Sequence, residues 1–429
     1  MKINRWFFLI VCTALTAPFL SSAKTRFYRL SWREDPSTTM VVGWDQASGT
    51  KPVLHYGTKD QGEEAKKYSF SKEPDRTQVY LGMTNCFVRL RKLKPDTPYY
   101  FVIQDSEGTS RRLWFRTAPA SPKPFTFISG GDSRMDRDQS ERIRQIRCRG
   151  NQLVAALRPL FILYGGDYVF KKDADRWEKW FQDWQLTITK DGRMAPIVPV
   201  HGNHENYDMQ VLTAFFDIPP EQYFALNVSG KLFRMWVLNS ELKKPAEIAA
   251  QNKWLEKDLK AHQKTKWKMA AYHQPIRPHT KGKPDRDYLY DWWADLFFTY
   301  GMNVVAESDT HLSKRTYPIR PSTDPDADAG FVRDDKRGTV FIGEGSWGAP
   351  TRPANNARSW TMATEKVNQF KWIQVFPNKM LIRSVLFEKV DQVVPLTEKN
   401  LFEEPENMVF WTPKTGKILQ LPFNSKDLD

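Results

Sequence analysis

The chain has 429 residues and a formal net charge of +14, long enough for two folded units and too long for one small core. Hydrophobic residues make up 40% and aromatics 14%, which argues against a disordered chain, while a mean hydropathy of -0.59 excludes a many-pass membrane protein. The positive charge is spread along the sequence with no basic run interleaved with aromatics, so it favours anionic substrates without marking a nucleic-acid partner.

Lys2 and Arg5 precede an apolar run from Trp6 to Leu20, broken by Pro18 and followed by Ser21, Ser22 and Ala23. This is the layout of a secretory signal peptide over residues 1–23, and the run is shorter than the roughly 20 apolar residues a membrane span needs. The expectation is an exported protein, periplasmic or extracellular, with no membrane span. Val11 before Cys12 does not fit a lipid-attachment box. Beyond the signal, Cys86 and Cys148 fall in different expected domains, so they outline no disulfide framework and are expected as buried thiols.

From Thr25 to about Ala118, short alternating runs between turn residues predict a β-sandwich, with strands at Thr39 to Trp44, Val53 to Tyr56, Thr77 to Leu81, Cys86 to Leu90, Tyr99 to Gln104 and Arg112 to Arg116. The segment from Leu93 to Tyr99 (LKPDTPY) resembles the L-x-P-x-T-x-Y corner of fibronectin type III domains. Residues 24–118 are therefore expected to form a fibronectin type III-like domain, a spacer or docking wall without chemistry of its own.

The stretch from Ala118 to Pro124 is a stiff, proline-rich linker, and after it strands alternate with helices over residues 123–395. Strands are expected at Phe125 to Ser129, Leu160 to Tyr164, Ile197 to Val200, Phe233 to Leu238, Trp267 to Tyr272 and Val304 to Ala306. Helices are expected at Gln139 to Leu157, Ala174 to Trp184 and Ala249 to Ala261, followed by a β-rich stretch from Thr339 to Phe387. Residues 396–429 read as a polar C-terminal extension with a hairpin near Thr415 and Gly416.

Polar residues recur just after the apolar strands: Asp132, Asp167, Asn203 with His204, His273, and Asp309 with His311. Strand ends are where α/β sheets build active sites. Oxygen and nitrogen donors of this kind suit two neighbouring divalent first-row metals better than a thiolate site. Two such ions can share a bridging hydroxide and neutralise charge on phosphoryl oxygens.

The ordered motifs Gly131-Asp132, Gly166-Asp167, Gly202-Asn203-His204-Glu205, Tyr272-His273 and Ser308-Asp309-Thr310-His311 resemble those of the calcineurin-like metallophosphoesterases, and within them the purple acid phosphatases. The resemblance implies a fibronectin-like domain followed by a four-layer α/β/β/α domain, an α+β two-domain chain that hydrolyses phosphoric esters. It implies two divalent ions (Fe, Zn or Mn) and a phosphoester substrate. Asp167 would bridge the ions, Asp132 and His311 would bind the first, and Asn203, His273 and Asp309 the second. His204 would contact phosphate or protonate the leaving group.

Three positions depart from the family pattern. Phe170 stands where the family places a ligating tyrosine, so the tyrosinate colour should be absent. Asp309 replaces the first histidine of the GHxH motif and is expected to add a negative charge to the second site. Arg134 stands where some relatives place a metal-binding histidine, which leaves the first site with three donors, expected to bind weakly, with Arg134 assisting the phosphate. Tyr168 is expected to point away from the site.

His279, in the loop Ile276 to Asp285, is the expected second substrate-facing histidine; His201, beside the GNHE motif, is a weaker candidate of the same kind. Asp324-Pro325-Asp326-Ala327-Asp328 resembles the start of a calcium loop, but Ala329 and Asp335 fill its glycine and glutamate positions, so a solvated acidic loop is expected. The altered ligands leave a rival open, a scaffold that keeps the fold without turnover. The natural substrate, metal identity and oligomeric state, a dimer included, are not legible in the sequence.

Overall fold

The computed structural model describes residues 23–135, 140–205 and 208–422. The expected signal peptide therefore lies outside the described residues, apart from Ala23. Among the described residues no helix is long and apolar enough to cross a membrane.

The N-terminal domain pairs Thr25–Ser31, Met40–Gln46, Met83–Leu90 and Arg76–Tyr80 in one antiparallel group. A second group takes Phe70–Lys72, Val53–Gly57, Pro98–Asp105 and Leu113–Arg116. Alternate residues from the two groups, among them Val42, Trp44, Val88, Leu54, Phe101 and Ile103, share one apolar core. The tyrosine of the corner motif is buried, and the Tyr99 hydroxyl accepts a hydrogen bond from the Lys94 backbone N–H at 2.8 Å. That bond fixes the chain reversal before Pro98–Asp105.

The strand Thr25–Ser31 precedes the first expected one, and it fuses the domains: Ser31 pairs in parallel with Ile197. The resulting ten-stranded sheet continues through Ile197–Pro199, Phe161–Tyr164, Phe125–Gly130, Gln369–Val375, Met380–Leu386 and Leu419–Leu421. A seven-stranded sheet holds Phe224–Val228, Phe233–Val237, Trp267–Ala271, Val304–Ala306, Val340–Gly343, Ser313–Thr316 and Thr361–Glu365. The two sheets bury a common core, with the Phe127 and Phe233 rings 5.4 Å apart. Glu141–Leu157 and Ala174–Trp184 cover the first sheet through Leu153, Val154, Trp177 and Trp180. Pro245–Ala261 and Asp287–Thr299 cover the second through Leu255, Leu259, Trp293 and Phe297. The layers run helix, sheet, sheet, helix.

Two elements differ from expectation for identifiable reasons. Asp287–Thr299 (DYLYDWWADLFFT) is a helix absent from the sequence reading, because its crowded aromatic and apolar residues blur the 3.6-residue period. Ser313–Thr316 is a wholly buried strand that carries Lys314 and Arg315, so it has no hydrophobic signature; Lys314 pairs with Glu307 and Glu344 in the interior. After residue 396 the chain is no detached tail, since Phe410 bridges Val385 and Leu419–Leu421 forms the edge of the large sheet. Cys86 and Cys148 are free, and the expected burial holds for Cys86 while Cys148 is only half-buried.

The N-terminal domain is fastened to the short helix Val211–Phe216 by charge as well as by strand pairing. Buried Arg29 donates to the Phe215 carbonyl at 2.6 Å. The buried Asp217 carboxylate accepts from Arg89 at 2.7 and 2.8 Å and from Arg76 at 2.9 Å. Removing one member of a buried ion cluster leaves its partners' charges uncompensated, although these arginines keep some contact with water. Asp217→Asn should therefore lower the unfolding free energy by about 2 to 4 kcal/mol. A shift in the urea midpoint measures the loss, and an unchanged midpoint would show that strand pairing alone holds the domains.

Candidate metal centre

Phe125–Gly130, Phe161–Tyr164, Ile197–Pro199, Trp267–Ala271 and Val304–Ala306 deliver their following loops to one place between the two sheets. Those loops turn sharply, and Asp132 (φ 60°), Asp167 (φ 57°), Asp309 (φ 70°) and His311 (φ 57°) all lie in the left-handed region that L-residues rarely occupy. Strain of this kind persists only where surrounding contacts hold it, and it concentrates at functional sites. Small residues make room for it. A Cβ on Gly345, itself at φ 82°, would fall 1.8 Å from Asp132 Oδ2.

The side chains converge in two groups that share Asp167. Asp132, Asp167 and His311 each offer one donor atom within 4.8 Å of the others, and so do Asp167, His273 and Asp309. Asn203 joins the second group, its Oδ1 3.1 Å from His273 Nε2. Backbone carbonyls set the histidine orientations. Gly165 O accepts from His273 Nδ1 at 2.7 Å, and Pro350 O accepts from His311 Nδ1 at 2.8 Å, so both Nε2 atoms face the carboxylates. An outer hydrogen bond that fixes the inner nitrogen is the usual arrangement around a ligating histidine.

The residues fit a cation at each group. Asp132 Oδ1 and Asp167 Oδ2 are buried without a hydrogen-bond partner, although His311 Nε2 lies 3.2 Å from the first. Carboxylate oxygens without a hydrogen bond are uncommon in a folded interior, and these two are free to accept from a cation. Burial opposes a charge on His273, yet Asp167, Asp132 and Asp309 outweigh it and hold the ring well above the usual histidine range. The cluster thus draws positive charge to itself.

Glu205 supports the centre from beneath, a role the motif did not disclose. Its buried carboxylate accepts backbone N–H bonds from Gly202 (2.8 Å), Asp167 (3.0 Å) and Tyr168 (3.1 Å), which ties the Asp167 loop to the Asn203 loop. His204 Nδ1 donates to the Phe170 carbonyl at 2.8 Å, and its Nε2 lies 3.8 Å from Asp167 Oδ2 at the cleft. Burial lowers the pKa of His204 against the opposing pull of Asp167. Phe170 packs its ring 5.1 Å from His204, and the Arg134 guanidinium sits over that ring with Nε 3.4 Å from Asp167 Oδ2. Tyr168 turns away from the cluster, fully buried and stacked 4.6 Å from Tyr164.

Other candidates lie elsewhere. His279 does not face substrate: it is fully buried, with Nε2 2.7 Å from Thr361 Oγ1 and Nδ1 3.4 Å from Glu344 Oε1. His201 is buried as well, and burial lowers its pKa to about 4, so it is not presented to the cleft. The loop that holds His279 instead turns Lys283 and Arg286 toward the centre, where both bind Asp309. The negative charge expected from Asp309 is therefore already offset by two neighbouring cations. No sequence motif marks these two residues; only their spacing from His273 could have drawn attention. The acidic run from Asp324 to Asp328 belongs to no metal-like group among the described residues.

Residues 26–117 match the family described as purple acid phosphatase, N-terminal domain, and residues 114–313 match calcineurin-like phosphoesterase, a span that contains every residue of the two groups. An uncharacterised protein found in two strains of Mycobacterium tuberculosis is 25% identical over 385 residues, covering 76% of this chain and 70% of that protein. Among solved structures, a purple acid phosphatase from yellow lupin (Lupinus luteus) seeds superposes with a TM-score of 0.68 at 14% identity, covering 85% of this chain and 72% of that one. PhoD gives a TM-score of 0.60 at 12% identity over 86% of this chain and 88% of its own. At these identities the two superpositions speak for the fold.

Glu205→Gln tests the supporting layer. An amide has one acceptor oxygen, so at least one of the three N–H groups loses its partner and the two loops loosen. Metal affinity should fall about 10- to 100-fold, the usual cost of an outer-shell change. Equilibrium metal-binding measurements check this, and an affinity equal to wild type would remove Glu205 from the site.

Proposed function

We propose that the chain, which matches the calcineurin-like phosphoesterases over residues 114–313 and the purple acid phosphatase N-terminal domain over residues 26–117, is an exported, metal-dependent hydrolase of phosphoric esters with two divalent ions at adjoining groups. Asp132, Asp167 and His311 would hold one ion, and Asp167, Asn203, His273 and Asp309 the other. The observation that carries this reading is the pair of orphaned, buried carboxylate oxygens on Asp132 and Asp167, in groups that share Asp167. Export is supported by the charged, apolar and small-residue layout of residues 1–23.

When bound, the ions would lower the pKa of a water for attack on phosphorus and neutralise charge on the phosphoryl oxygens. The chain's own residues do the positioning. Glu205 keeps Asp167 and Asn203 in register through their loops. His204, anchored at Nδ1 by the Phe170 carbonyl, keeps Nε2 at the cleft for a phosphate oxygen or the leaving group. Arg134, held between the Phe170 ring and Asp167, adds a positive charge beside the first group, which favours an anionic substrate and weakens the hold on a cation.

Asp167→Asn and His273→Ala should each lose metal and abolish hydrolysis of an aryl phosphate, whereas His204→Ala should keep its metal and turn over about 100-fold more slowly or worse. Metal analysis beside steady-state kinetics separates the outcomes; full activity in either ligand variant would end the assignment. Phe170 supplies no phenolate oxygen, so the isolated protein should be colourless. An intense tyrosinate band in its visible spectrum would overturn the ligand set.

A further inference from the structure

Asp309 differs from its fellow aspartates in having both oxygens taken. Lys283 Nζ donates to Oδ1 at 2.7 Å, and Arg286 Nη2 donates to Oδ2 at 2.6 Å. Arg286 is a fixed part of the fold: its Nε donates to Gln274 Oε1 at 2.5 Å, its backbone N–H to the Ile276 carbonyl at 3.0 Å, and its side chain is 8% exposed. Lys283 stands at the rim of the cleft, with 23% of its side chain exposed. The same Oδ1 that Lys283 holds lies 3.8 Å from His273 Nε2, on the side of the carboxylate that belongs to the second group.

We infer that Lys283 and Arg286 more than cancel the charge of Asp309, so that the second group holds its ion less tightly than its donors alone would. The inference rests on the proposed function, in which this group holds an ion. The Asp309 carboxylate adds one negative charge and the two contacting cations bring two positive ones, which leaves the trio with an excess positive charge. Arg286 orients the carboxylate and Lys283 trims its field. A cation within a few ångströms of a bound divalent ion also repels it, and partial burial preserves that repulsion against salt. Lys283 is thus a residue that sets metal affinity and disfavours ions of higher charge.

The test compares Zn²⁺ binding to metal-stripped, full-length wild type, Lys283→Met and Lys283→Arg by competition with a chromophoric chelator. Repeating it with His311→Ala, which removes a donor from the first group, assigns any change to the second. Lys283→Met should bind the second-group ion at least about tenfold more tightly, because a contacting positive charge is gone. Lys283→Arg, which keeps the charge, should stay within about threefold of wild type. Equal affinity in wild type and Lys283→Met, or weaker binding in Lys283→Met, overturns the inference while leaving the metal centre intact. A wild type that takes up no stoichiometric Zn²⁺ removes the proposed centre and this inference together. Thermal unfolding of each variant without metal confirms that the fold is unchanged, as the rim position of Lys283 leads one to expect.

Discussion

Three buried carboxylates, Asp132, Asp167 and Asp309, crowd together where the ends of two sheets meet, and like charges removed from water repel strongly unless something positive stands among them. The rest of the site answers that constraint. His273 and His311 aim nitrogen at the carboxylates, Arg134 approaches Asp167, and Lys283 with Arg286 closes on Asp309. Asp132 Oδ1 and Asp167 Oδ2 still make no hydrogen bond, with His311 Nε2 at 3.2 Å and Arg134 Nε at 3.4 Å beside them, and are the oxygens open to a divalent ion. Arg134, Lys283 and Arg286 already match the three carboxylates in number, so what a bound ion would supply is a partner for the two open oxygens.

Holding the carboxylates against their repulsion requires a rigid frame. Left-handed backbone at four donor positions gives the side chains their direction, and close packing of glycine beside Asp132 leaves no room for another course. Glu205 adds a fourth buried carboxylate just below, satisfied by three backbone N–H donors. The two sheets support the loops from both sides through one shared apolar core. The N-terminal domain extends that frame, since it continues the same sheet across Ser31 and Ile197 and is clamped by Arg29 and the Asp217 cluster.

The substitutions that set this chain apart fall on its charge balance. Phe170 takes away an anionic donor and offers Arg134 and His204 an aromatic face instead. Asp309 brings a carboxylate that arrives with its own counter-charges. Relative to the pattern the motifs resemble, the first group lacks an anionic donor and the second gains one, so the anionic count stays while the first group has fewer donors and a different electrostatic setting.

What the sequence determined by itself was the identity and order of the donors. Each follows an apolar strand, and a residue just beyond a strand in a layered sheet can only emerge at that sheet's edge, so Asp132, Asp167, Asn203, His273 and His311 were legible from strand periodicity and motif order. The tyrosine corner was legible for the same reason, a local spacing that fixes a local hydrogen bond. Tertiary structure decided the rest. Whether the loop after His273 would present His279 or Lys283 depended on Thr361 and Glu344, far along the chain, which bury the histidine. The charge that Asp309 contributes depended on cations 23 and 26 residues away. The joining of the domains turned on one strand pairing and on buried arginines that hydrophobic periodicity cannot register. Local spacing specifies which groups stand at a sheet's edge, but long-range packing determines which charges face one another there, and hence the field in which they act.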